Sequence, residues 1–234
     1  MQRSRPNGIV IAIDGPSGAG KSTIARMLAE QLDYIQIDTG AMYRAAAFML
    51  SSADVDLLDL EAVSSFCNDL EIKLESDSGK QVVLANGLDV TKLIRTPEMS
   101  LITSRISTIK PVRDAMLKAQ QKLGAKGGVV LEGRDIGTVV FPDAEMKFYL
   151  NASVEERARR RCEELNNKGE QVTLEQTVIN VAQRDRQDSE RDISPLRQAD
   201  DAILIDSSKL TAEEVLSVIT AFCKEKVKNM VVKL

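Results

Sequence analysis

Residues 15–22 read Gly-Pro-Ser-Gly-Ala-Gly-Lys-Ser and satisfy G-x-x-x-x-G-K-[ST] at every fixed position. The apolar run Ile9, Val10, Ile11, Ala12, Ile13 precedes them, and Ile24, Leu28 and Leu32 follow at helical spacing. Strand, loop and helix are therefore predicted in the order that a phosphate-binding loop requires. Gly15, Gly18 and Gly20 let the backbone curl so that successive N–H groups turn inward, and the positive end of the helix dipole at Ser22 favours an anion. A triphosphate is the natural occupant of Gly15, Pro16, Ser17, Gly18, Ala19, Gly20, Lys21, Ser22 and Thr23. Lys21 would lie over its β- and γ-phosphates, with the Ser22 hydroxyl at Mg²⁺. The competing reading is a glycine-rich turn that binds nothing, which the strand-helix setting disfavours.

Further apolar runs at 34–37, 128–131, 145–150 and 202–205 alternate with helical patterns. Five core strands in that order predict an α/β fold with a parallel sheet covered on both faces, the three-layer αβα arrangement of phosphate-loop proteins. Ligands of such sheets bind at the carboxyl ends of the strands, where residues 15–22 lie. Residues 71–93 break the alternation. They carry a period of two, with turn signals at Asp77-Ser78-Gly79 and Asn86-Gly87, and predict a small antiparallel meander that must pack against its parent domain or cover its cleft.

Composition removes whole classes of chemistry. The chain has no histidine, so imidazole acid-base catalysis, histidine-ligated zinc and Ser-His-Asp hydrolysis are excluded. A net charge of −4 and 3% aromatic residues argue against a nucleic-acid partner. Cys67, Cys162 and Cys223 are distant and odd in number, which suits a reducing compartment and ordinary packing. No apolar stretch reaches membrane-spanning length, and the first eight residues lack the apolar core of a secretory signal. A cytoplasmic protein with no membrane association is expected. At 234 residues, one domain with small insertions, working as a monomer, is the simplest organisation.

Four polar signatures bear on what receives the phosphate. Asp38-Thr39-Gly40-Ala41-Met42-Tyr43-Arg44 follows the second strand, where Arg44 could hold an acceptor phosphate; alternatively Asp38 or Thr39 caps a helix and Arg44 is a solvated face residue. Glu132-Gly133-Arg134-Asp135-Ile136-Gly137-Thr138 follows the third strand. Glu132 stands where a Walker-B-type acid holds Mg²⁺ through water, Arg134 could clamp phosphate, and Asp135 could accept from a substrate base or hydroxyl; the bland version is a surface turn with a local ion pair. Arg157, Arg160 and Arg161 share one helical face on which, unopposed, they repel, so the segment is either a solvated helix or a mobile lid bringing arginines onto phosphate. Thr173 and Gln176 form a capping box. The inward stripe Leu174, Val178, Val181 continues into Asp188, with Arg184 and Arg191 on nearly the same face, either as a structural ion-pair ladder or as part of a cleft.

Together GPSGAGKST at 15–23, DTGAMYR at 38–44, EGRDIGTVVFPDA at 132–144 and RDRQDSERDISPL at 184–196 resemble the bacterial cytidylate kinases over nearly the whole chain. The meander resembles the enlarged monophosphate-binding region that separates these kinases from adenylate kinases. The resemblance implies a core at about 9–40, 100–150 and 198–234, a monophosphate-binding insert at about 41–99 and a lid at about 155–190. It places Thr39, Arg44 and Arg134 near the monophosphate. Ser104, Arg113 and Asp135 match positions that read the cytosine ring, Arg184 and Asp188 correspond to residues on the ribose hydroxyls, and Arg191 lies at the base end. Arg157 falls in the lid near the donor phosphates, so that Lys21, Arg134, Arg157 and Asp135 form the catalytic set. Two positions depart from the family: Thr39 replaces a frequent serine, keeping the hydroxyl, and Glu132 replaces the common aspartate, lengthening the arm by one methylene.

The implied reaction is transfer of the γ-phosphoryl group of ATP to CMP and dCMP, with Mg²⁺ on the donor phosphates. The attacking phosphate oxygen is already anionic, so a site without histidine needs only alignment and charge neutralisation. A kinase of the same fold acting on UMP, AMP or shikimate is the nearest rival. A nucleotide-hydrolysing switch or motor is a more distant one.

Overall fold

Every residue of β1 (Val10–Asp14) is buried, because strands pair with it in parallel on both sides: β6 (Val129–Gly133) and β7 (Met146–Asn151). The computed structural model describes residues 5–77, 80–167 and 169–231. Residues 1–4 of the amino-terminal extension, and Ser78 and Gly79 of the first expected turn, lie outside the described residues. Two compact units are formed, Met1–Gln36 with Lys126–Leu234 and Ile37–Ala125, the division falling inside β2 (Ile35–Asp38).

The first unit also contains α1 (Lys21–Leu32), α6 (Val154–Asn167), α7 (Leu174–Glu190), β8 (Ile203–Asp206) and α8 (Ala212–Val231). The sheet order is β2, β6, β1, β7, β8, the expected five-stranded parallel sheet with flanking helices. Ile11 and Ile13 of β1 pack with Leu28 of α1, Phe148 and Leu150 of β7 and Ile219 of α8. The alternate residues Val10 and Ala12 are equally buried on the other face, as a covered parallel sheet requires. Phe148 is among the largest fully buried side chains, and its truncation to alanine should cost about 3–5 kcal/mol.

All five expected runs are strands, each displaced toward its carboxyl end. Ladder pairing continues through polar residues that close the apolar runs, as Asp14 opposite Gly133 and Asn151 opposite Asp206 demonstrate. Glu132, expected just beyond its strand, lies within it, opposite Ile13. Because β1 has β6 on one side and β7 on the other, the crevice at its carboxyl end lies at the switch point of the sheet.

The second unit comprises α2 (Thr39–Ser52), α3 (Leu60–Asn68), β3 (Ile72–Asp77), β4 (Lys80–Ala85), β5 (Leu88–Asp89), α4 (Pro97–Ile106) and α5 (Lys110–Gly124). The meander is present in the order β3, β4, β5, and it packs on α2 through β3 and β4. Asn86 (φ 47°) and Gly87 (φ 80°) form the two-residue turn between the paired residues Ala85 and Leu88, as the Asn-Gly signal predicts. The Asn86 Oδ1 also accepts from the Glu71 N–H at 2.7 Å, tying the turn to the start of the meander.

Candidate active site

β1 delivers Asp14 directly to the loop at 15–22. Gly15 has φ 145°, and a Cβ there would lie 2.0 Å from the Leu150 carbonyl oxygen, so this position admits only glycine. Three loop carbonyls are held by side chains: Lys21 Nζ donates to Pro16 O at 2.6 Å, Arg157 Nη1 to Ser17 O at 3.1 Å and Ser207 Oγ to Ala19 O at 3.2 Å. With its carbonyl side engaged, the loop has its N–H side left for an anion. α1 begins at Lys21 with no side-chain cap and no acidic residue in its first turn, so its leading N–H groups are not spent internally. Lys21 itself is buried, and burial, followed by repulsion from Arg134, pushes its ammonium well below the usual lysine range.

The Ser22 hydroxyl donates to Glu132 Oε2 at 2.6 Å. Gln36 Nε2 donates to the other carboxylate oxygen, Oε1, at 3.1 Å, and to the Ser22 carbonyl at 3.3 Å. The longer arm of glutamate at position 132 thus reaches the serine of the loop. Arg134, two residues on, instead donates through Nε to Asp188 Oδ2 at 2.8 Å.

Beyond Arg134 the chain forms a π-helical turn, Ile136–Val140, which sequence periodicity does not signal. Its anchor is Asp14, whose two carboxylate oxygens accept from Ile136 N at 2.8 Å and Gly137 N at 2.7 Å. Burial raises the Asp14 carboxyl to about 6 against the opposing pull of those two hydrogen bonds, and nearby Asp135 adds to the rise. One buried carboxylate therefore ties the strand that feeds the phosphate loop to the segment carrying Arg134 and Asp135.

Asp188 is buried and surrounded by cations: Arg134, Arg184 and Arg191 all act on it, Arg191 Nη1 at 4.0 Å from Oδ1. Burial alone would raise its carboxyl, but Arg134 and the other guanidiniums hold it below the usual carboxylate range. Burial likewise works against the Arg134 guanidinium, and the Asp188 charge outweighs it. Lys21 feels Arg134, Arg184, Glu132 and Asp188, and Asp14 acts on Arg134 in turn, so cations and carboxylates form one connected group beside the loop.

Two helical expectations need correction. The inward stripe of α7 is Thr177, Val181 and Asp188; Leu174 is 49% exposed, because α7 begins at that residue and its first turn carries it to solvent. The Thr173 hydroxyl does cap α7 by accepting from Gln176 N at 3.2 Å, but the Gln176 side chain donates to Asn180 instead of completing the box. Nor are the arginines of α6 unopposed. Arg157 is buried and donates twice to Asp185, Arg160 pairs with Glu156 and donates to Ser207, and Arg161 pairs with Glu164. Carboxylates three or four residues away, or from α7, relieve the repulsion expected of a single face.

In the second unit Asp38 caps α2 by accepting from Ala41 N at 2.8 Å and also accepts from Arg44 Nη2 at 3.1 Å. Arg44 is therefore a partly buried, ion-paired side chain, distinct from a solvated face residue. Thr39 opens α2 and is buried. Ser104 lies on α4. Arg113, on α5, is buried, with its guanidinium 5.7 Å from the centroid of the Tyr43 ring and Nη1 donating to Ser107 O at 3.0 Å.

A family model described as cytidylate kinase matches residues 11–225. The chain belongs to the cytidylate kinase family. It is 55% identical over 226 residues to the cytidylate kinase of Citrifermentans bemidjiense, covering 97% of each chain. It is 49% identical over 216 residues to the cytidylate kinase of Bacillus subtilis, covering 92% of this chain and 96% of that one. Among solved structures, an uncharacterized protein from Eubacterium ventriosum superposes with a TM-score of 0.53 at 10% identity, covering 93% of this chain and 98% of that one, a likeness of fold alone.

Of the positions that the cytidylate kinase pattern assigns to nucleotides, Lys21, Ser22, Glu132, Arg134, Arg184, Asp188 and Arg191 gather around the loop and the Asp188 cluster in the first unit. Asp135 is buried beside Arg134 and leads into the π-turn, while Arg157 braces the loop from behind. Thr39, Arg44, Ser104 and Arg113 belong to the second unit. Three residues that hydrogen-bond into the first unit's group went unread in the sequence: Asp14, Gln36 and Asp185. Asp14 had a signal, a carboxylate closing an otherwise apolar strand. Gln36 and Asp185 become significant only through partners far away in sequence.

Proposed function

We propose that this chain transfers the γ-phosphoryl group of ATP to CMP and dCMP, giving ADP and CDP or dCDP. The reading is carried by the match to the cytidylate kinase family along nearly the entire chain, joined to a phosphate loop complete in residue and local geometry. A phosphate oxygen of the monophosphate attacks the γ-phosphorus, the bond from that phosphorus to the β–γ bridging oxygen breaks, and ADP leaves. The charge that builds on the transferred group is met by Lys21 and Arg134 in our reading, with Arg157 holding the loop that carries the donor and Asp135 orienting the acceptor.

The donor occupies Gly15, Pro16, Ser17, Gly18, Ala19, Gly20, Lys21, Ser22 and Thr23. Among the described residues no group of three or more acidic or cysteine side chains gathers to hold a metal by itself. The hard oxygens of Ser22 and Glu132, 2.6 Å apart, suit Mg²⁺, which takes much of its coordination from phosphates and water. Bound there, it would neutralise charge on the donor phosphates. On the acceptor side we assign Thr39, Arg44 and Arg134 to the monophosphate, Ser104, Arg113 and Asp135 to the cytosine ring, and Arg184, Asp188 and Arg191 to the ribose and base end. In this reading 41–99 is the monophosphate insert and 155–190 the lid of one kinase domain, acting as a cytoplasmic monomer. Among the described residues no helix is long and apolar enough to cross a membrane.

An ADP-release assay with ATP fixed and the acceptor varied over CMP, dCMP, UMP, AMP and shikimate tests the reading. CMP and dCMP should give the highest kcat/KM. A clear preference for AMP or shikimate overturns it.

A further inference from the structure

Gln36 is absent from the residues that the family pattern assigns to nucleotides, yet its carboxamide makes two contacts at the donor site. It closes the first unit's stretch of β2, beside β6 in the sheet, and is partly exposed. Both groups it meets, the Ser22 carbonyl and the Glu132 carboxylate, can only accept hydrogen bonds. The carboxamide orientation therefore follows from its surroundings: Nε2 must face them. Donation to Glu132 Oε1 leaves Oε2 directed at the Ser22 hydroxyl, which donates its single proton there at 2.6 Å. A hydroxyl that has given its proton away keeps two lone pairs, and these are what a hard divalent cation requires.

We infer that Gln36 is a positioning residue of the donor site: by fixing the Glu132 carboxylate it makes Ser22 an oriented, lone-pair-presenting ligand for the divalent cation that accompanies the nucleotide. The inference rests on the proposed role of Ser22 and Glu132 at Mg²⁺. It explains how glutamate serves at position 132. The longer side chain has an additional rotatable bond, and Gln36, with Ser22, removes that freedom by occupying both carboxylate oxygens.

Gln36→Met keeps the length of the side chain and loses both hydrogen bonds. Binding of a non-hydrolysable ATP analogue is measured by calorimetry across a Mg²⁺ titration and again in EDTA, for the wild type, Gln36→Met and Glu132→Gln. The Mg²⁺ concentration for half-maximal enhancement should rise about three- to tenfold in Gln36→Met, the scale of one hydrogen bond to a charged group at a partly exposed site. Analogue affinity in EDTA and the melting temperature should stay close to wild type. A Gln36→Met protein with unchanged Mg²⁺ dependence, beside a Glu132→Gln protein whose dependence has shifted, overturns the role of Gln36 alone. If neither variant shifts, the placement of Glu132 at the cation fails first. Equal loss of affinity with Mg²⁺ and in EDTA makes Gln36 a general support of the loop and also overturns the inference.

Discussion

The Arg157 guanidinium closes on the Asp185 carboxylate through two hydrogen bonds, 3.0 Å from Nη1 to Oδ1 and 2.6 Å from Nη2 to Oδ2, while Nη1 also donates to Ser17 O in the phosphate loop. Arg157 thereby links α6, α7 and the loop within the first unit. The cation that the sequence suggested for a mobile lid is, in this structure, part of the loop's support.

Asp185→Ala leaves a buried guanidinium without its carboxylate. Because the Asp185 side chain is 22% exposed, the expected loss of stability is about 2–3 kcal/mol, below the 3–5 of a fully buried pair. Urea unfolding measures it. The ATP-side KM should rise along with the instability, since Ser17 loses a rigid partner; a variant with wild-type stability would show that Arg157 is held well enough by the Ala152 and Ser17 carbonyls.

Lys21→Ala removes the ammonium that lies across the loop onto Pro16 O. Transfer should fall by about a hundred- to thousandfold in kcat, the range seen when one charge-stabilising donor is lost at a reacting centre. Circular dichroism and melting should show an intact fold, because the deleted cation is destabilised by its own burial and by Arg134.

Arg44→Ala should act mainly on the acceptor. Loss of a hydrogen-bonded charge is worth about ten- to hundredfold in the KM for CMP, with kcat and the KM for ATP changing much less. Steady-state kinetics in both substrates separates the outcomes. An effect confined to ATP would remove Arg44 from the acceptor site.

Asp14 gives a pH signature. Its carboxyl is raised from 3.8 to about 6 in the folded protein, chiefly by burial, so between those values the native state holds more protons than the unfolded chain. Stability contributed by this group is therefore present at low pH and lost as pH rises toward about 6, a swing of about 3 kcal/mol at full separation of the two pKa values. Asp14→Asn does not titrate. Denaturant unfolding of both proteins at about pH 4, 5 and 7 should show the wild type losing ground to the variant as pH rises, then a constant difference once both native and unfolded carboxylates are ionised. A difference independent of pH would mean that Asp14 titrates alike in both states.

Local pattern determined a large part of this protein. The loop at 15–22, the five strands, the Asn86-Gly87 turn and the Asp38 and Thr173 caps all rest on short-range chemistry, namely glycine conformations, apolar periodicity and side chains that satisfy nearby N–H groups. Local pattern therefore placed most of the candidate site at the correct strand ends. Tertiary structure alone decided which charges meet. Asp188 with Arg134, Arg157 with Asp185, Gln36 with Glu132 and Asp14 with the π-turn join residues 28 to 123 positions apart in the chain. The same reason explains the arginines of α6 and the displaced stripe of α7. Periodicity reveals which residues share a face, but the energy of a buried charge depends on the partner that another element brings to it.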